Sequence, residues 1–363
     1  MATSGSTGGA RGGGLEGIVV ADTMLSDVDG ENGRLVVVGD EIEALTGTVS
    51  FESLCARLWQ GDAPAPLAEN DVRAGIAEGR LLGWKALPLL GDALQHEDGM
   101  DALRAATAHL AIDDAPLVVG AIGTFAAAWG RTRSGHAPIA PDPSRGHAAD
   151  YAHMLGLADD AARSAALDAY FVTVADHGMN ASTFTARVIT STGSDMVSAM
   201  VGAIGALKGP LHGGAPGPVL DMLDAIGDPS RATAWLEAEL AAGRRIMGMG
   251  HRIYRVRDPR AAVLEREVAK LDTSGAHTLR LALARAVEHA AEVVLRARHP
   301  DRPLRANVEF YTAVLLDTIG LPVPQFSPTF AVGRAAGWCA HIQEQRRTGR
   351  LIRPASRYVG RAA

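Results

Sequence analysis

Along most of this chain apolar side chains recur at helical spacing, and the exceptions lie near its start. Residues 15–20 and 34–38 are short β-branched runs separated by Asp, Gly and Asn, and they predict a small hairpin. Over 41–59 the residues Ile42, Leu45, Val49, Leu54 and Leu58 keep a helical interval, broken at Gly47. Two more helices are predicted over 102–110 and 118–129, divided by Asp113-Asp114-Ala115-Pro116. Residues 130–144, rich in Gly, Pro, Arg and Ser, read as a surface connection. Asp228-Pro229 and Asp258-Pro259 each place an acid at a helix N-cap and a proline in the first turn, and the first of these helices ends at Gly243. The clearest amphipathic helix covers 278–297, with Leu279, Leu283, Val287, Ala290 and Val294 on one stripe, closed by His299-Pro300. Asn307 can cap a helix that reaches Thr318 and stops at Gly320 and Pro322. No βαβ pattern repeats, so the fold class is all-α with a minor N-terminal hairpin, and a dinucleotide-binding sheet is excluded.

Composition narrows this picture. The 363 residues suffice for two ordinary domains or one large one, and 47% hydrophobic with 21% charged residues suits a soluble globular protein with a sizeable core. No apolar run approaches the roughly 20 residues of a membrane span. The net charge of -6 argues against a nucleic-acid partner, whose binding rests on a basic face. Cys55 and Cys339 are embedded in apolar helical sequence and read as buried small hydrophobes, which fits a reducing cytoplasm. Residues 1–14 are Gly, Ser, Thr and Ala with a single Arg, the composition of a disordered tail and not of a secretion signal.

Several polar residues stand where packing alone would not put them. His212 sits in the turn Gly209-Pro210-Leu211-His212-Gly213-Gly214, where glycines let backbone approach a ligand. Met247-Gly248-Met249-Gly250-His251-Arg252-Ile253-Tyr254 leads into Asp258-Pro259-Arg260, which puts a cation in a first helical turn against the dipole and suggests service to a bound anion. Glu309 follows the Asn307 cap. His177 lies in Asp176-His177-Gly178-Met179-Asn180-Ala181-Ser182-Thr183, and Arg334 shares a helical stretch with Trp338 and His341. Arg353 precedes Pro354. Taken singly, each has a plain explanation as a turn histidine, a dipole-favoured acid or a solvated arginine. The twelve histidines show no zinc-like spacing, so no metal site is expected.

In order along the chain, these motifs resemble those of the citrate synthase family, over residues 15–360. The wording Asp-His-Gly-Met-Asn resembles its short, actinobacterial-type members. The resemblance implies an all-helical fold with a large domain (15–212 and 321–363) and a small inserted domain (213–320). It also implies a cytoplasmic homodimer that condenses acetyl-CoA with oxaloacetate, as in the tricarboxylic acid cycle. His212 would hold the thioester oxygen, His251 the ketone oxygen, and Glu309 would take the proton from the acetyl methyl. His177, Arg260, Arg334 and Arg353 would bind oxaloacetate, the last from the second subunit, and residues 247–250 (Met247, Gly248, Met249, Gly250) would help to hold CoA. The CoA thioester is a substrate, and no cofactor is implied. Glu309 stands where the family usually has Asp, which adds about 1.5 Å of reach. Two alternatives remain open: 2-methylcitrate synthesis from propionyl-CoA, since one methylene is worth only about 1–3 kcal/mol, and a weakly active or non-catalytic paralogue.

Overall fold

The computed structural model describes residues 15, 17–61, 65–212, 216–271 and 276–361. The tail expected over 1–14, and Gly213 and Gly214 of the His212 turn, lie outside the described residues. The architecture is helical with one small antiparallel sheet, ordered β1 (Ser26–Asp29), β2 (Arg34–Val37) and β3 (Asp40–Glu41). Asp29 pairs with Arg34 and Ser26 with Val37. The hairpin is therefore present, but its first strand is not the predicted run at 15–20. Ser26–Asp29 has almost no apolar alternation, and pairing with the buried Leu35 and Val37 strand makes it a strand.

The helical expectation over 41–59 resolves into α1 (Ile42–Leu45) and α2 (Phe51–Leu58), separated at Gly47, whose φ is +73°. Next come α3 (Glu69–Ala86), α4 (Gly99–Thr107), α5 (Ala115–Arg133), α6 (His147–Met154) and α7 (Ala161–Val174). Side-chain caps explain several starts: Asp98 accepts from the amides of Met100 and Asp101, and Asp114 from that of Leu117. The connection expected at Gly130 begins only after Arg133. α3 and α5 form a close helix pair, because a Cβ on Gly79 would overlap backbone of Leu117 and one on Gly120 would overlap backbone of Ile76.

α8 (Ala181–Thr190) and α9 (Met196–Leu207) pack as neighbours, and α10 (Pro216–Ile226) follows. Asp228 caps a single 3-10 turn, Pro229–Arg231, that leads into α11 (Ala232–Ala241). α12 (Pro259–Leu271) packs on α14 (Val308–Ile319), and α11 on α13 (Ala276–Arg298). Along α13, Leu283, Val287 and Ala290 face the core as expected, but Leu279 is exposed and Leu281 is buried in its stead. Asn307 caps α14 through the Glu309 amide, and Gly320 closes it in the left-handed conformation. The last helix, α15 (Phe326–Thr348), contacts α5, α7, α8 and α9 and is buried nearly all round as far as Gln345. Cys55 and Cys339 are both buried free thiols, as expected.

Candidate active site

Five pieces of chain converge on one cleft of about 1380 Å³. They are the α7–α8 turn with His177, the α9–α10 link with His212, the loop before α12 with residues 247–251 and Arg260, the first turn of α14 with Glu309, and α15 with Phe330 and Arg334. Every site residue expected from the sequence lines this cleft except Arg353. That arginine lies exposed in the arm after α15, away from the cleft of its own chain.

Two ring tautomers follow from backbone donors. The Ser182 amide donates to His212 Nε2 at 3.2 Å, and Ser182 Oγ lies 2.8 Å from the same atom. The amide and the hydroxyl also donate to Asn180 Oδ1, at 3.1 and 2.8 Å; in its bond with the amide Nε2 is the acceptor, which puts the His212 proton on Nδ1. Trp338 donates to Ser182 Oγ at 3.1 Å, which fixes the hydroxyl in turn. At His251 the amides of Ile253 (3.0 Å) and Tyr254 (3.1 Å) both donate to Nδ1, so the proton sits on Nε2. Burial pushes both imidazoles down to about 4, aided by Arg334 at His212 and by Arg260 at His251. Both rings are neutral donors at pH 7. His177 is buried beside them, with Nε2 3.1 Å from the Tyr254 hydroxyl, and the three rings of His177, His251 and Tyr254 cluster within 5.7 Å.

Glu309 has the opposite character. Its carboxylate accepts no hydrogen bond among the described residues, and burial raises it to about 7, with Arg260 opposing and Asp258 adding to the rise. The loop before it is sewn down: Gly250 donates to the Arg305 carbonyl at 2.6 Å and Asn307 to that of Gly248 at 2.9 Å. The Asn307 amide group also donates to the Gly250 carbonyl at 2.9 Å. Residues 247–250 and the first turn of α14 thus form one unit.

Arg260 differs from its sequence reading. Its Nε and Nη2 are already held by Asp258, at 3.0 and 2.7 Å, so it is not reserved wholly for a ligand. Asp258 also caps its own helix at the Arg260 amide and accepts from the Val308 amide at 3.2 Å, tying the starts of α12 and α14 together. Arg260 Nη1 makes no bond among the described residues. Arg334 donates through Nε to the Val174 carbonyl at 2.5 Å and lies 4.8 Å from the centre of the Phe330 ring, which leaves both Nη atoms for a ligand. Burial lowers it to about 10 against the pull of Asp176, so it remains charged at pH 7.

The sequence reading assigned no role to Ser182, Asp176 or His341, and read Asp258 only as a helix cap. Asp176 accepts from His341 Nε2 at 3.1 Å, while Arg187 donates to His341 Nδ1 at 3.0 Å. The spacing of Arg334, Trp338 and His341, four and then three residues apart, puts all three on one helical face and was the available signal.

The family model described as citrate synthase, C-terminal domain, matches residues 14–355. A Mycobacterium tuberculosis protein named putative citrate synthase 2 is 38% identical, covering 96% of this chain and 92% of its own. A 2-methylcitrate synthase of the same organism is 36% identical over 96% and 90%. The structure of Thermoplasma acidophilum citrate synthase, a ternary complex with carboxymethyl coenzyme A and oxaloacetate, superimposes with a TM-score of 0.86 at 25% identity over 96% of each chain. With a match of this extent, and with the expected motif residues facing one cleft, the chain belongs to the citrate synthase family.

Proposed function

We propose that this protein is a citrate synthase that condenses acetyl-CoA with oxaloacetate and water to give citrate and CoA. The observation that carries the reading is the pairing of opposite proton states in one cleft: a largely buried carboxylate and two neutral imidazoles, with no hydrogen-bond partner among the described residues for the carboxylate or for the remaining N–H of either ring. In this reading Glu309 removes a proton from the acetyl methyl, and His212 Nδ1–H holds the enolate oxygen that forms. A charged imidazole there would protonate the base instead. The nucleophilic carbon attacks the ketone carbon of oxaloacetate, whose oxygen takes the His251 Nε2–H. Water then cleaves the citryl thioester and releases CoA. Arg260 and Arg334 pair with the carboxylates of oxaloacetate, with His177 beside them. Exposed Arg245, Arg298 and Arg302 along the cleft suit the phosphates of CoA. The cleft exceeds the roughly 300–1,000 Å³ of an ordinary small-ligand site, which fits two substrates held together.

Residues of the segments 15–212 and 321–363 and residues of 213–320 both line the cleft. Closure of these two parts over the substrates would expel water and bring the histidines against the base. Propionyl-CoA is a second candidate substrate, favoured by the 2-methylcitrate synthase relative. The test is CoA release in the presence of oxaloacetate, with acetyl-CoA and propionyl-CoA compared at equal concentration. A higher kcat/KM for propionyl-CoA replaces the first reading with the second, and release with neither thioester refutes both.

A further inference from the structure

The β1–β2 hairpin touches two of the loops that line the cleft. At its open end Ser26 Oγ donates to Asp176 Oδ2 at 2.5 Å, next to His177, and the Met24 amide donates to Glu344 of α15 at 2.9 Å. A Cβ on Gly178 would lie 3.3 Å from the Val28 side chain, so the His177 turn lies against the strand itself. At the tip, the Arg255 amide donates to the Gly30 carbonyl at 2.8 Å. Gly30 packs so closely on the Ile253 carbonyl that a Cβ there would overlap it, and a Cβ on Gly33 would lie 2.5 Å from the Val256 side chain. Ile253 is thus held from both sides. Its carbonyl bears on the hairpin and its amide donates to His251 Nδ1.

We infer that the hairpin is a brace that fixes the His177 turn and the His251 loop relative to one another, with Ser26 and Gly30 as positioning residues for oxaloacetate binding. The oxaloacetate part rests on the function proposed above. The two loops are far apart in sequence, and among the described residues their direct link in the cleft is one 3.1 Å hydrogen bond from His177 to Tyr254 and the ring contacts of His177 with His251 and Tyr254. The hairpin supplies a second link, by the Ser26 side chain to Asp176 at one end and by the backbone bond from Arg255 to Gly30 at the other. A shift of about 1 Å at such a site costs on the order of 100-fold in rate.

The test compares four single substitutions, two of glycine and two of serine, in the full chain. Gly30→Ala forces the tip away from Ile253 and should raise KM for oxaloacetate about tenfold or more, with KM for acetyl-CoA changed less than about twofold. Gly39→Ala is the control: φ is +91° and no atom lies within 4 Å of the new Cβ, so it strains the β2–β3 turn of the same sheet without touching either loop. Ser26→Ala should raise KM for oxaloacetate, and Ser26→Thr, which keeps the hydroxyl, should restore it. If Gly30→Ala does not fold, the Ser26 pair decides the matter alone. Oxaloacetate KM values for Gly30→Ala and Ser26→Ala that match the Gly39→Ala control overturn the brace. Wild-type protein that turns over no oxaloacetate overturns the proposed function instead, so the two failures are distinct.

Discussion

Glu309 shows how much one side chain depends on its surroundings. The sequence places it one position beyond the start of a capped helix, where an ordinary acid would be ionised and solvated; burial instead raises it to about 7. In the proposed function Glu309 is the base and must be ionised to act, so kcat/KM should climb with pH through about 7, read from a pH–rate profile of the free enzyme. Glu309→Gln should abolish turnover and leave oxaloacetate binding nearly intact by calorimetry; substantial residual turnover would reduce Glu309 to a helix-start acid. The same raised value has a sign for stability. The folded protein holds the Glu309 proton above the pH at which the unfolded chain releases it, so the group loses stability as pH rises from about 4.5 to 7. Glu309→Gln should therefore raise the melting temperature at pH 8, by at most about 3 kcal/mol of stability, and change little below pH 4.5. Arg260 is the contrasting case, since its charge is balanced within the fold by Asp258. Arg260→Ala should weaken oxaloacetate binding by about 2–5 kcal/mol. It should also lower the melting temperature, because a fully buried Asp258 carboxylate loses its partner; unchanged affinity in calorimetry would remove Arg260 from the site.

Helices were the most legible level, and the errors among them have local causes. Caps at Asp114, Asp258 and Asn307 and the stop at Gly320 are set by bonds within a few residues, so the sequence carries them directly. Strand β1 was misplaced because its four residues become a strand only by pairing with β2. Leu279 was placed on the buried stripe of α13, yet at the helix start the neighbouring helices cover Leu281 instead. In α15 burial on all sides removes the polar face that would reveal a period, and this is why only its stretch around Arg334 was visible. The α3–α5 pair invites a direct test. Gly120→Ala puts a methyl into backbone of α3 and should cost about 1–3 kcal/mol in denaturant unfolding. Equal stability would mean that the helices separate at little cost.

For the whole molecule the open question is how many chains build one site. Arg353, which the resemblance assigns to oxaloacetate, is exposed in the arm after α15 and does not line the cleft of its own chain. If a two-fold partner receives it, refolding inactive His251→Ala and Arg353→Ala chains together should restore about one-quarter of wild-type activity, since half the dimers are mixed and each mixed dimer has one intact site. Inactive mixed dimers would mean that Arg353 acts in its own subunit or not at all. The sequence by itself determined the helical class, the starts or stops of about half the helices, and the candidate residues that line the cleft apart from Arg353, because periodicity, caps and motifs are written over short spans of chain. Only the tertiary structure decided the proton on each histidine, the raised carboxyl of Glu309 and the capture of Arg260 by Asp258. Proton states depend on burial and on partners such as Ser182 for His212 or His341 for Asp176, which lie 30 and 165 residues away. Asp258 is close to Arg260 in sequence, but a side chain's hydrogen-bond partner is fixed by how it packs, and no local pattern records that.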